Sequence, residues 1–285
     1  MKSGFVAIIG RSNVGKSTLL NTLVGTKLAA TSFRAQMTRH VIHGVLNRPE
    51  GQAVFIDTPG IFQDSKKNLL SAKLYNRAKE ALHGVDVIIY LVDPSKSIGP
   101  EERSAFGLIR KLDTPKILVI NKMDLPKSEQ QYLADYYLWA KEFSSVLEIS
   151  ALEGSHVEPL RQKVLDLLPE GETLYTEGQA TNITHHFWIA EIIREKVFSV
   201  LDKEVPYAAT VEVDEVVERE KDQMLMITAR VLVSDARYKK IIIGHSAHKI
   251  KEIGTMARRE LEAATNHKVF LDLNVEVDHH WVERI

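Results

Sequence analysis

The sequence predicts an α/β first half built on a mostly parallel sheet, followed by a smaller α+β half. Through residues 1–169, short Val/Ile/Leu-rich runs alternate with longer helical patterns, as buried parallel strands and their crossover helices do. Past residue 184 the order becomes helix, strand, strand, short element, helix, strand. A chain of 285 residues is also long for one average domain. The expected division is a domain over 1–169, a linker over 170–184 and a second domain over 185–285.

The candidate strands of the first half are Phe5–Ile9, Val41–Leu46, Ala53–Ile56, Val87–Val92, Lys116–Ile120 and Val146–Ile149. Only six residues, Asn47 to Gln52, separate the second from the third, so that pair is expected as an antiparallel hairpin. Pro169 ends the last helix after Leu167 and Leu168, because proline cannot continue one. Glu170–Thr184 holds two Gly and four Thr without an apolar period, which marks the linker. Ile189, Ile192, Ile193, Val197, Val200 and Leu201 then trace one helix face. Tyr207–Val213 and Leu225–Val233 alternate as strands, with Lys221 and Asp222 near the turn. A short element at Ile241–Ile243, a helix marked by Ile250, Ile253, Ala257, Leu261 and Ala264, and a strand from Val269 to Val277 complete the chain.

Zero cysteines exclude a disulfide scaffold, a thiolate metal site and a Cys nucleophile, and fit a reducing, cytosolic address. With 37 Lys+Arg against 38 Asp+Glu the net charge is −1, so any nucleic acid must be held by a local patch. The longest apolar run, Val87–Val92, is six residues, against about 20 for a membrane span. No targeting segment is visible; peripheral membrane contact stays open, and a monomer is expected.

Directly after the first strand stand Gly10, Arg11, Ser12, Asn13, Val14, Gly15, Lys16 and Ser17, which satisfy G-x-x-x-x-G-K-[ST] in its strand-to-helix setting. Such a loop turns successive N–H groups toward phosphate, and the following helix adds its positive end, with Thr18 after the loop also expected to bind the nucleotide. Lys16 reaches the β- and γ-phosphates, and Ser17 is placed to ligate Mg²⁺. Asp57 ends the third strand, followed by Thr58, Pro59 and Gly60. Its carboxylate is expected to hold Mg²⁺ and the Gly60 N–H to touch a γ-phosphate.

Asn121, Lys122, Met123 and Asp124 follow the fifth strand, and Ser150 and Ala151 the sixth. An aspartate accepts from guanine N1–H and the 2-amino group, and the Ala151 N–H can donate to O6; adenine would leave both unmatched. The expected nucleotides are therefore GTP and GDP.

Gly10–Ser17, Thr38, Asp57–Gly60, Asn121–Asp124 and Ser150–Ala151 together resemble the five motifs of a translation-factor-class GTPase. The loop and Ala35-Gln36-Met37-Thr38-Arg39 are similar to the Era family; Ala190–Lys196 and Lys249–Arg258 are similar to that family's type II KH domain. The resemblance spans nearly the whole chain and implies a P-loop GTPase domain followed by an RNA-binding KH domain.

By that resemblance Ser17, Thr38 and Asp57 hold Mg²⁺, and Lys16, Thr38, Gly60 and Asn13 serve hydrolysis of GTP, Asn13 by helping to bind K⁺. Ile61 stands where Ras-like proteins carry the glutamine that orients water; an aliphatic side chain cannot, so slow intrinsic hydrolysis is expected, and Gln63 is not assigned the role. The KH loop is Gly244-His245-Ser246-Ala247, which has Ala where the family has its second Gly. A methyl there costs free energy if φ is positive. Lys239, Lys240, Ile243, Gly244, His245, Ser246, Ala247, Lys249, Lys251 and Arg258 are the expected RNA contacts. Residues 237–259 carry seven basic side chains against one acidic, although residues 178–285 as a whole carry net −3. The chain ends soon after Trp281, a shorter tail than the family's. His185-His186 and His279-His280 are read as surface histidines rather than metal ligands.

The implied partners are the 3′ end of 16S ribosomal RNA and the 30S subunit during assembly. The alternative, motivated by Ala247 and the short tail, is a nucleotide-gated protein-interaction module with weak or no RNA binding. A P-loop kinase is disfavoured by the guanine motif.

Overall fold

The computed structural model describes residues 1–31, 38–60, 69–176, 178–201, 205–219 and 222–284. Ala35, Gln36, Met37, Ile61, Gln63 and Lys221, singled out above, lie outside the described residues. The chain forms two compact units: Met1–Ala29 with Thr38–Asn182, and Ala30–Met37 with Ile183–Ile285.

The first unit contains strands β1 (Lys2–Ile9), β2 (Ile42–Arg48), β3 (Gly51–Asp57), β4 (Val87–Val92), β5 (Lys116–Ile120) and β6 (Ser145–Glu148). They form one sheet in the order β2-β3-β1-β4-β5-β6. Every pair is parallel except β2 with β3, whose antiparallel register runs from Ile42 opposite Asp57 to Arg48 opposite Gly51. The connection, expected as six residues and in the structure only Pro49 and Glu50, leaves no room for a crossover, and the hairpin follows. Helices α1 (Lys16–Val24), α2 (Leu69–Glu80), α3 (Pro100–Ile109), α4 (Leu133–Tyr137) and α5 (Val157–Leu167) complete the unit. All six residues of β4 are buried, as expected of a central strand covered on both faces.

Residues 170–176 and 178–182 are bound to this unit rather than slack. Ala180 carbonyl accepts the Val45 N–H at 2.9 Å, Thr181 pairs with Gly44, and Asn182 Oδ1 accepts the His43 N–H at 2.9 Å. Gln52 Oε1 accepts the N–H groups of Leu174 and Tyr175 at 2.7 and 2.9 Å. The segment thus covers the outer edge of β2, which would otherwise expose unpaired backbone groups.

The second unit contains α6 (His185–Val200), β7 (Ala209–Arg219), β8 (Met224–Val233), α7 (Ala236–Ile243), α8 (His248–Thr265), β9 (Lys268–Val277) and α9 (Trp281–Arg284). Thr184 caps α6 by accepting the Phe187 N–H, and Asp235 caps α7 by accepting the Arg237 N–H. The short element expected at Ile241–Ile243 is the end of α7, an eight-residue helix whose first turn carries no apolar period. The sheet order is β7-β8-β9, antiparallel then parallel, with a bulge between Val213 and Glu215. Ile193, Val197, Ala229, Val231, Ile253, Ala257 and Leu261 are fully or almost fully buried between these helices and the sheet.

Candidate nucleotide-binding site

The loop between β1 and α1 has the backbone that its glycines permit. Asn13 and Gly15 take φ of 62° and 101°, and α1 begins without a side-chain cap, leaving its first N–H groups available to an anion. A Cβ at Gly15 would lie 2.4 Å from Asn121 Nδ2, so glycine serves both the turn and the close approach of the base motif. Asn121 Nδ2 donates to the Val14 carbonyl at 2.8 Å, tying the two motifs together. Asn13 is exposed at the rim of the loop, Ser12 and Thr18 are half-buried, and Val14 is buried.

Lys16 is buried and donates to the carbonyls of Gly10 at 3.2 Å and Arg11 at 2.9 Å. Burial lowers its ammonium to about 8, against the opposing pull of Asp57 and Glu102. A bound phosphate would restore the missing negative charge. Asp57 is fully buried, and burial raises its carboxyl despite Lys16 and the hydroxyls of Ser17 and Thr38.

Three oxygen-bearing side chains meet at the end of β3. Ser17 Oγ donates to Asp57 Oδ2 at 2.7 Å, Thr38 Oγ1 donates to the same oxygen at 3.2 Å, and the two hydroxyls are 2.8 Å apart. Asp57 Oδ1 is buried with no hydrogen-bond partner among the described residues. An orphaned carboxylate oxygen beside two hydroxyls fits a hard divalent cation. Mg²⁺ bound there would supply positive charge to the phosphates of the nucleotide. Ser17, Thr38 and Asp57 are the residues that would hold it. Thr58 Oγ1 donates to the Ile8 carbonyl at 2.8 Å, fixing the turn through Pro59 and Gly60, both buried. A Cβ on Gly60 would lie 2.9 Å from Ser12 Cα, so this turn closes against the phosphate loop.

In the base motif, Ser150 Oγ donates to Asp124 Oδ1 at 2.5 Å and orients its carboxylate. Met123 N–H donates to the Ile149 carbonyl at 3.1 Å. The Ala151 N–H donates to Asn121 Oδ1 at 2.8 Å, so a guanine O6 would share that proton with Asn121. Lys122, at φ 62°, forms a 2.6 Å ion pair with Asp93. Burial alone would raise the Asp93 carboxyl, but hydrogen bonds from Lys122 and Ser95 outweigh it and hold it below the usual range. Asp93 was not singled out in the sequence, although an acidic residue ending β4 beside the strand that delivers Lys122 is a usable signal.

In the second unit, Gly244 (φ 72°), Ser246 (φ 50°) and Ala247 (φ 59°) bend the chain between α7 and α8. Ala247 is thus in the conformation where its methyl is costly. Lys240, His245, Ser246, Lys251 and Arg258 are exposed, and Lys239, Ile243, Gly244, Ala247 and Lys249 half-buried. Arg258 pairs with Glu262 at 3.3 Å. The histidines His185, His186, His279 and His280 are exposed.

A family model described as 50S ribosome-binding GTPase matches residues 5–122, and one described as KH domain matches residues 204–282. The chain is 40% identical over 281 residues to GTPase Era of Thermoanaerobacter sp. strain X514, covering 98% of this chain and 92% of that protein. It is 42% identical over 285 residues to GTPase Era of Geobacter sp. strain M21, covering 98% and 94%. The chain belongs to the Era family of GTPases. Its reaction is the hydrolysis of GTP to GDP and phosphate. Two solved Era structures superpose on all of the chain at 37% identity and cover 96% of their own. One, from Aquifex aeolicus and bound to GDP and AlF4⁻, gives a TM-score of 0.92. The other, in complex with MgGDPNP and nucleotides 1506–1542 of 16S ribosomal RNA, gives 0.91.

Proposed function

We propose that this Era-family GTPase binds the 3′ end of 16S ribosomal RNA through its second unit and acts on the 30S subunit during assembly. The observation that carries the proposal is one chain holding both a guanine-type base motif tied to a phosphate loop and a KH unit whose α7–α8 connection lies in a basic segment. The Era relative with MgGDPNP and 16S nucleotides supports the RNA assignment.

In this reading Gly10–Thr18 wraps the phosphates, with Lys16 on the β and γ groups. Asp57–Ile61 and Thr38 sense the γ-phosphate, and Asn121–Asp124 with Ser150 and Ala151 select guanine. Water must be oriented without a glutamine at position 61, so intrinsic turnover is slow. Asn13 helps to bind K⁺, which supplies positive charge near the transferring phosphate; turnover in KCl exceeds that in NaCl, and equal rates would remove that role. The protein works in the reducing cytosol as a monomer, with any membrane contact peripheral. Among the described residues no helix is long and apolar enough to cross a bilayer.

Filter binding of the full chain to an rRNA 3′-end oligonucleotide, with GTP analogue or GDP and at two salt concentrations, tests the assignment. Salt-sensitive binding that depends on GTP analogue is expected. Its absence favours the alternative, a nucleotide-gated protein-interaction module, to which the left-handed Ala247 lends support.

A further inference from the structure

Glu102, in the first turn of α3, has no solvent exposure. A carboxylate so placed needs a cation and hydrogen-bond donors to remain ionised. Tyr90 of β4 donates to its Oε1 at 2.5 Å, and the Tyr136 hydroxyl of α4 to its Oε2 at 3.1 Å. The cation is Arg11 of the phosphate loop, whose Nε lies 3.2 Å from Oε2. Arg11 Nη1 lies 3.4 Å from the Ser97 carbonyl, and Nη2 is buried without a partner among the described residues.

The same Arg11 presents its carbonyl to Lys16 at 2.9 Å. One residue is therefore clamped by its side chain to a buried carboxylate and carries, on its backbone, an oxygen that holds the phosphate-binding lysine. We propose that Glu102 is a positioning residue for the phosphate loop: through Arg11 it fixes the first turn of the loop and so the resting place of the Lys16 ammonium.

Stability alone does not account for the arrangement, since a buried ion pair is often no more stabilising than apolar packing of the same volume. A planar guanidinium held by Glu102 and Ser97 does constrain direction, which a point charge would not. Glu102 also offsets the Arg11 charge, leaving Lys16 as the loop's cation for phosphate. Burial raises the Glu102 carboxyl, opposed by Tyr90, Arg11 and Tyr136 in turn, so those neighbours are what favour its charged form.

The inference rests on the nucleotide-site reading above. The test is titration of the full chain with fluorescent GDP and GTP analogues in Mg²⁺, together with GTP turnover. The variants are Glu102→Gln, Arg11→Lys, the two combined, and Tyr136→Phe as a milder change that removes one donor. Glu102→Gln and Arg11→Lys are each expected to raise Kd by about tenfold or more. For Glu102→Gln the loss falls on KM more than on kcat. The combined variant is no worse than the weaker single, because both break one clamp, and Tyr136→Phe shifts Kd the same way by less. Unchanged Kd in variants that only melt earlier would make the pair purely structural and overturn the proposal. Tighter binding by Glu102→Gln would also overturn it, since Arg11 would then act on phosphate by charge. If the unmodified chain binds no guanine nucleotide, the site reading itself fails and the inference with it.

Discussion

Two glycine-led turns that open onto a helix, Gly10–Ser17 and Gly244–Ala247, are built in opposite ways. The loop Gly10–Ser17 lies between a buried strand and a helix, and its side-chain contacts are largely shielded from water: buried Lys16 on carbonyls, buried Asn121 of the base motif on Val14, and half-buried Arg11 on buried Glu102. The Gly244–Ala247 turn is exposed at its centre, ends on an alanine at φ 59°, and depends on the charges around it. A small, densely charged phosphate chain rewards a rigid, desolvated cradle in which each hydrogen bond counts fully. A nucleic-acid backbone is long and hydrated, and a solvated basic surface suffices to attract it.

The comparison breaks most sharply at Lys16. Lys16→Ala should lower kcat/KM for GTP by about 100- to 1000-fold, measured as phosphate release. Asp124→Ala should reduce preference for guanine over adenine nucleotides by about 100-fold, read from competition binding. If either effect were within a few-fold, the first turn would not be the rigid cradle described. Lys249→Glu and Lys251→Glu should each weaken RNA binding by roughly tenfold, with a shallower dependence of log Kd on log salt than in the unmodified chain.

The buried lysine gives a pH signature that the exposed turn cannot. Its ammonium, lowered to about 8, loses its proton in the free protein well before an ordinary lysine does. A phosphate bound at Lys16 would keep it charged, so nucleotide affinity should fall above pH about 8, by up to about tenfold per unit. For folding the sign is opposite. The unfolded chain binds the extra proton between about 8 and 10.5, so this group's contribution makes the free protein more stable as pH rises through that window. Fluorescent GDP titrations and melting curves from pH 7 to 10 check both directions. The smallest effect is expected at the other turn: Ala247→Gly relieves a left-handed alanine at the cost of backbone entropy, a net gain of about 0.5–1 kcal/mol, read from denaturant unfolding.

How much could be read in advance differs by type of feature. Central strands such as Val87–Val92 coincide with the structure to the residue, because a strand buried on both faces is a continuous apolar run. The hairpin followed from chain length alone. Residues 170–182 were harder: a strap that binds through backbone groups and Gln52 needs no apolar period, so it reads as slack linker. The start of α7 was missed for a related reason, since Ala236–Lys240 shows the surface its polar residues and is set by the Asp235 cap.

The order of motifs by itself determined the phosphate loop, the carboxylate beside it and the preference for guanine, because each rests on residue types at fixed spacing along one strand-to-loop junction. The fold alone decided that Asp57, Ser17 and Thr38 meet within hydrogen-bonding distance, that Glu102 is buried against Arg11, and that Ala247 takes positive φ. In the sequence Glu102 looks like any acidic residue in a helix's first turn, favoured there by the dipole and ordinarily solvated. Only the packing of α3 and α4 against β4 and the phosphate loop removes the water around it, and that desolvation turns an unremarked surface-type carboxylate into the anchor of Arg11.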